Sequence, residues 1–219
     1  MKRARRVKLI GIIIAIIIVL GVIIGVIHSR SNTRTSDDNA IQETKGTNKI
    51  SGKTLIIYFS HAGRNYEGNL KTGNTAVIAN YIKDKTHADV YEVIPAKAYP
   101  TDSYSKLTKI ATNEKDNNDR PAIKGQLPNV DKYKNIFIGS PIWYSEYPMV
   151  MRTLFDKINL NNKTVIPFVT NEGSGFGSTR EILKRKYPKA KMLKGYETEG
   201  SNVKDDQSSV NKWLDSLGY

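Results

Sequence analysis

Three short apolar runs limit what this chain can become: TLIIYFS at Thr54–Ser60, NIFIGS at Asn135–Ser140 and KTVIPFVT at Lys163–Thr170. Each has the length of a strand and lacks the polar alternation of a strand with one wet face, which suits a parallel sheet covered on both sides. Between them, Val77, Ile78, Tyr81 and Ile82 recur at helical spacing within Asn74–Lys85, as do Val150, Met151, Leu154, Phe155 and Ile158 within Pro148–Ile158. Asp89–Ile94 alternates and stops at Pro95, as a second strand would; Ser103–Asn118 is a weakly patterned polar helix and Ser178–Tyr187 a basic one. Met192–Tyr196 reads as a last strand, and Gln207–Leu217 as a closing helix with Trp213 packed inward. Strands alternating with helices predict an α/β fold with a doubly wound parallel sheet. Pro167 removes a ladder donor from a run suited to a central strand, so a local bulge is expected there.

The rest of the chain is of a different kind. Leu9–Ile27 is 19 residues without a polar side chain, preceded by Lys2, Arg3, Arg5, Arg6 and Lys8. At about 1.5 Å per residue a helix of that length crosses a hydrocarbon core of about 30 Å. The run is longer than the apolar part of a signal peptide, and Ile27 and His28 stand where a cleavage site needs small residues, which favours an uncleaved anchor. Cationic residues before the span predict a cytoplasmic N-terminus, with everything after Ile27 outside the membrane. Residues 28–49 are rich in Ser, Thr, Asn and Asp and read as a stalk, so the expected organisation is a basic segment at 1–8, an anchor at 9–27, a stalk at 28–49 and a folded domain at 50–219.

Composition narrows the chemistry. The chain has no cysteine, which excludes disulfides, thiolate metal sites, iron–sulfur clusters and catalytic thiols. Its three histidines, His28, His61 and His87, have no spacing that suggests a metal site. The formal charge is +13 overall and +7 from Ile50 onward. No basic stripe interleaved with aromatics accompanies it, which argues against a nucleic-acid partner and for attraction to an anionic membrane or envelope surface.

Ligands of open α/β sheets bind outside the carboxyl ends of the strands, so the loops there carry the functional reading. After the first strand, Ser60-His61-Ala62 is followed at a distance by Gly73-Asn74-Thr75 entering a helix. A hydroxyl and free N–H groups at the positive end of a helix dipole form a phosphate cradle; alone, the same residues would serve equally as an N-cap. GNLKTGNT at Gly68–Thr75 fits the spacing of a nucleotide-triphosphate loop but has Asn74 where the lysine belongs, and no G-x-G-x-x-G follows the first strand. After the NIFIGS run come Pro141, Ile142, Trp143 and Tyr144, two large aromatics that either pack or offer a face to a planar ligand. After the KTVIPFVT run, Thr170 and Asn171 lead into Gly173, Gly175, Phe176 and Gly177, where bare backbone can lie along a flat, polar-edged ring.

YFS, GNT, SPIWY and TNEGSGFG in that order, with RPAIKG at Arg120–Gly125, resemble the flavodoxin-like FMN-binding proteins. The resemblance runs from Lys53 to Trp213 and implies a five-stranded sheet of order 2-1-3-4-5 with one noncovalently bound FMN. By position it implies that Ser60, Asn74 and Thr75 hold the phosphate while His61 and Ala62 line the turn. It further implies that Trp143 stacks on the isoalloxazine, that Pro141 and Ile142 approach its N5 edge, and that Thr170, Asn171, Gly173 and Gly177 read its pyrimidine edge. The sequence departs from the compact family pattern in separating Ser60 from Thr75 by fifteen positions, so Arg64–Lys71 must loop out, with Arg64 and Lys71 themselves solvated.

With FMN bound, the flavin carries the redox chemistry and no side chain is assigned a catalytic role. The excess positive charge predicts a higher midpoint potential than that of an acidic carrier. Three functions fit: a membrane-tethered electron carrier with an unidentified redox partner; an NAD(P)H/quinone-type oxidoreductase with Tyr144, Tyr147 and Phe176 shaping an acceptor pocket; or a flavin-free envelope binding module.

Overall fold

Residues 49–219 are described by the computed structural model. The basic segment at 1–8, the span expected at 9–27 and the stalk up to residue 48 lie outside them, and among the described residues no helix is long and apolar enough to cross a membrane.

The three apolar runs form the middle of one parallel sheet. β1 (Thr54–Tyr58), β5 (Asn135–Pro141) and β6 (Thr164–Asn171) are buried along almost their whole length. β4 (Asp89–Glu92) pairs with the free side of β1, while β7 (Lys191–Met192) and β8 (Tyr196–Glu199) share the outer side of β6. In chain order, leaving out a small hairpin, the strands run 2-1-3-4-5 with the fifth position divided between β7 and β8. The last strand expected at Met192–Tyr196 is thus two short strands, and strand pairing lapses between them after the bond from Leu193 N to Val165 O.

Pro167 explains the division. Val165 O accepts from Leu193 N at 3.0 Å, so alternate residues of β6, Pro167 among them, face the outer neighbour. Proline has no N–H to offer at that rung. The register between β5 and β6 continues unbroken through Ile138 and Pro167, and the interruption falls on the partner strand, where Gly195 lies against the Pro167 carbonyl. The bulge expected in β6 is absent; the outer strand breaks instead.

Side chains alternate between two cores, one on each face. Ile56, Phe137, Ile166 and Phe168 pack with α1 (Asn74–Thr86) and α5 (Gln207–Leu217) through Ile78, Ile82, Val210, Trp213 and Leu214. Leu55, Ile57, Ile136 and Ile138 pack with α2 (Tyr104–Asp116), α3 (Met149–Lys157) and α4 (Thr179–Lys186) through Leu107, Val150, Leu154, Phe155 and Leu183. Trp213 lies in the first core with its indole N–H on the Lys194 carbonyl at 3.0 Å. β4 is added to one side of β1 and the strands from β5 onward to its other side, and this switch of winding opens a crevice at the carboxyl ends of β1 and β5.

Candidate functional site

The first wall of that crevice is the start of α1. Ser60 leaves β1 and its Oγ accepts from Ala76 N at 3.0 Å, so a hydroxyl from the preceding strand caps the helix. Gly73 is the formal N-cap, and a Cβ there would run into Ser60 Oγ and the His61 carbonyl, so only glycine lets the turn approach this closely. The N–H groups of Asn74 and Thr75 precede the first intrahelical bond, and the Ser60 proton is free to donate, because its oxygen is the acceptor in the cap. Three donors thus stand together at the positive end of a helix dipole, on residues that line one cleft.

The fifteen positions between Ser60 and Thr75 do not separate them in space. The intervening chain folds into a hairpin of β2 (Gly63–Asn65) and β3 (Gly68–Leu70), with Tyr66 and Glu67 at its tip. Gly63 lets the hairpin lie against the Thr101 backbone, and Arg64 N donates to Thr101 O at 2.8 Å. Arg64 and Lys71 are exposed and do not line the crevice. Tyr66 is 72% exposed, yet it faces the opening, as do Asn65 and Tyr104, the first residue of α2.

Trp143 forms the opposite wall. It is half-buried and braced edge-on by Tyr99 at 5.1 Å, Phe59 at 5.6 Å and His61 at 6.1 Å between ring centroids. Burial pushes His61 below the usual histidine range, partly offset by the Pro100 backbone, so it is neutral near pH 7; its Nε2 has no hydrogen-bond partner. Trp143 opens a two-residue turn closed by Trp143 N to Glu146 O at 3.0 Å and Glu146 N to Trp143 O at 3.1 Å. Tyr144 and Ser145 both have positive φ there, 50° and 64°, a conformation that side-chain-bearing residues adopt at a cost of about 1–2 kcal/mol each. Outside contacts hold the turn: Tyr144 Oη donates to Thr108 O at 3.1 Å, Lys115 Nζ to Tyr144 O at 2.8 Å, and Ser178 N to Ser145 O at 2.8 Å.

The third wall is the end of β6. Thr75 and Thr170 are both buried, and their hydroxyls meet at 2.8 Å, tying the start of α1 to this strand and leaving one of the two protons free. Asn171 is an organiser of its own loop. Its Oδ1 accepts from Gly173 N at 2.8 Å and Gly175 N at 3.1 Å, and its Nδ2 donates to Glu197 Oε2 at 2.8 Å.

Ser60, His61, Asn74, Thr75, Pro141, Ile142, Trp143, Thr170 and Asn171 are thus brought together around one cleft. Ala62, Gly73, Tyr144, Gly173, Gly175, Phe176 and Gly177 are not on its wall. Gly177 packs against Ser145 O, and Phe176 sits on Gly195 with the Arg180 guanidinium 4.2 Å from its ring centroid. Tyr147, expected to help shape an acceptor pocket, is fully buried against Phe155, so that expectation is corrected.

The charge around the cleft opposes that of the whole chain. Its wall includes the carboxylate of Glu172 and no lysine or arginine. Glu67, Asn74 and Glu172 converge where a Cβ at Gly200 would stand, and Asn74 Nδ2 donates to Glu67 Oε2 at 3.0 Å. Partial burial, then Glu67 and Glu199, push Glu172 up to about 7. The sequence gives no local sign of this cluster, since its members come from a hairpin tip, the start of α1, the loop after β6 and the end of β8.

The flavodoxin family model matches residues 53–217, three-quarters of the sequence. The chain belongs to the flavodoxin family. A solved protein of Bacteroides eggerthii described as a candidate flavoprotein is 29% identical over 77% of this chain and 99% of that chain, with a TM-score of 0.60. A second, from Bacteroides uniformis, is 28% identical over 76% and 99%, also at 0.60. A flavoprotein of Lactobacillus acidophilus solved in complex with FMN shares the fold at 24% identity over 75% and 99%, with a TM-score of 0.56. No curated protein matches the chain. The flavodoxin fold supports an FMN-binding redox function for the domain, and the residues of the cleft fit that group: a cradle of hydroxyl and N–H donors packed closely on Gly73, an aromatic wall and an unpartnered His61 Nε2.

Proposed function

We propose that this chain is a membrane-tethered redox protein that passes electrons through a noncovalently held FMN. The observation that carries the reading is the convergence, at one rim of the sheet, of the Ser60 hydroxyl at the α1 N-terminus, the Thr75–Thr170 pair and Trp143. Bound FMN supplies the electron-transfer chemistry of its ring. Ser60 and the N–H groups of Asn74 and Thr75 hold the phosphate, Trp143 covers the ring, and Thr170 faces its polar edge. Asn171 acts indirectly by fixing the Gly173 and Gly175 backbone. No side chain is assigned a proton or covalent role.

The +7 of the domain does not raise the reduction potential in this reading, because among the described residues the acidic Glu172 lines the cleft with Glu67 and Glu199 near it, and no lysine or arginine does. These carboxylates disfavour added negative charge on a ligand there and direct the potential downward.

Purified residues 49–219 should be yellow, or should take up added FMN with a rise in melting temperature. A folded, colourless preparation that gains no thermal stability from FMN would sink the reading. The tether rests on the Leu9–Ile27 run: full-length chain should sediment with membranes and a chain lacking residues 9–27 should not. The domain should be cut by protease added to intact cells, since the charge bias around the run sends everything after it outside.

A further inference from the structure

The rim of the sheet opposite the cleft is basic in a regular way. Lys53, Lys134 and Lys163 stand immediately before β1, β5 and β6, and Lys191 opens β7. Thr54, Asn135, Thr164 and Lys191 are in register, so the first three lysines occupy one rung across three neighbouring strands and the fourth lies one rung further on at the edge. Backbone bonds fix the row: Lys134 N donates to Lys53 O at 3.0 Å, Thr164 N to Lys134 O at 2.9 Å, and Lys191 N to Lys163 O at 2.9 Å.

A cation at a helix C-terminus is accounted for by the helix dipole, which covers Lys184, Arg185 and Lys186 in the last turn of α4. The strand-end lysines have no such role, and among the described residues none of the four pairs with a carboxylate. Lys134 Nζ reaches Ser51 Oγ at 3.3 Å and Lys163 Nζ the Tyr133 carbonyl at 2.8 Å. Of the carboxylates on neighbouring elements, Asp89 accepts from Tyr133 Oη at 2.8 Å and Asp156 takes Arg120 and Lys186 at 2.6 Å each, while Asp131 stands exposed three positions before Lys134 without pairing with any of the four. Sequence adds weight at the same rim, since Thr179–Lys194 carries seven basic residues and one acidic residue.

The chain enters the domain at this rim. Ile50 N donates to Gly218 O at 3.1 Å, and Asn135 Nδ2 holds the Ser51 carbonyl at 3.2 Å. Residues 28–49 connect that point to the apolar run, and even fully extended they reach no further than about 80 Å.

We infer that the lysine row is a docking face for the surface of an anionic phospholipid bilayer, against which it holds the domain with the cleft turned away. The inference rests on the tethered reading, which places a bilayer within reach of this rim and raises its effective concentration there. A flat row of unpaired cations suits a plane of phosphodiester headgroups, and each lysine near such a surface contributes about a fivefold gain in binding. The cleft, rimmed by Glu67, Glu172 and Glu199, is left facing a soluble partner.

The test uses residues 49–219, because solved relatives of which 99% is matched consist of this domain alone. Co-sedimentation with vesicles of phosphatidylcholine and phosphatidylglycerol in equal parts, compared with phosphatidylcholine alone, should show binding only to the anionic vesicles. K53E/K134E/K191E should weaken it by about a hundredfold or more. K97E/K109E/K124E, which changes net charge equally on other surfaces, should weaken it less than about fivefold. K53Q/K134Q/K191Q repeats the test with neutral side chains, and melting temperatures verify that each variant is folded. Equal losses from the two charge-reversal variants would overturn the inference in favour of net charge alone. No binding to anionic vesicles, or retention on soluble polyphosphate without vesicle binding, would also overturn it. Neither result bears on the tether, which the membrane fractionation of the full chain tests separately.

Discussion

The two rims of one sheet differ in almost every respect. At the carboxyl ends of the strands the backbone is strained at Tyr144 and Ser145, hydroxyls meet in a buried pair, and the cleft wall carries Glu172 and no lysine or arginine. At the amino ends positive φ also occurs, at His87 and Asn162, but among the described residues a row of lysines stands there unpaired by carboxylates. The difference shows that the net charge of a chain says little about its site: the domain is basic, and its cleft is not. Strands of five to eight residues at about 3.3 Å each separate the rims by roughly 20 Å, more than twice the screening length of about 8 Å at physiological salt.

Gly73→Ala should have the largest effect. Its Cβ would displace Ser60 Oγ and the His61 carbonyl, removing two or three donors worth about 1.5–3 kcal/mol each toward a charged group, so FMN affinity should fall by about a hundredfold or more. Isothermal titration would show it, and an unchanged affinity would remove the phosphate cradle from this rim. Trp143→Ala should follow, at about 1–3 kcal/mol of FMN affinity, by analogy with aromatic–base stacking. If fluorescence titration finds no loss, the ring is not covered by Trp143.

Thr75→Val leaves the Thr170 hydroxyl buried without its partner, and should lower stability by about 1–3 kcal/mol in a urea titration. A neutral outcome would mean that the pair contributes nothing to joining α1 with β6. Glu172→Gln should act on pH dependence. A carboxylic acid raised from 4.5 to about 7 binds more protons folded than unfolded, so it makes stability fall as pH rises between those values. Melting curves of the Gln variant should be flatter across that window, and its FMN affinity should decline less from pH 6 to pH 8 than that of the parent. The smallest effect belongs to the other rim: K53E/K134E/K191E should change FMN affinity by less than about twofold at physiological salt. A tenfold change would show that the two rims are electrostatically coupled.

The fold was legible where burial writes continuous apolar runs. β1, β5 and β6 are such runs, and the amphipathic spacing of α1, α3 and α5 survives at their buried faces. Pro167 was read correctly as a defect and assigned to the wrong strand, because a missing N–H interrupts whichever neighbour it faces, and sequence does not say which side that is. The β2–β3 hairpin was invisible, since strands of three residues carry no period. In the site, Ser60, Thr75, Trp143 and Thr170 could be placed because they lie at or just past the ends of legible strands or at the start of the helix after β1. Tyr66 and Tyr104 could not, since a hairpin tip and a helix that starts far from these strand ends in sequence reach the cleft only through tertiary packing, and Glu172, although it follows β6 directly, gains its character from Glu67 and Glu199, which only packing brings near. Asn171 shows the remaining gap: its position was legible, while its hydrogen bonds within its own loop were not.

The central claim is that the α1 N-terminus with Ser60 grips a phosphate while Trp143 covers the attached ring. Parallel titrations of residues 49–219 with FMN and with riboflavin, which lacks the phosphate, test it most directly. Binding of FMN about a hundredfold or more tighter than riboflavin, with the difference lost in Gly73→Ala, is the expected result. Equal affinity for the two, or a difference that survives Gly73→Ala, would contradict it.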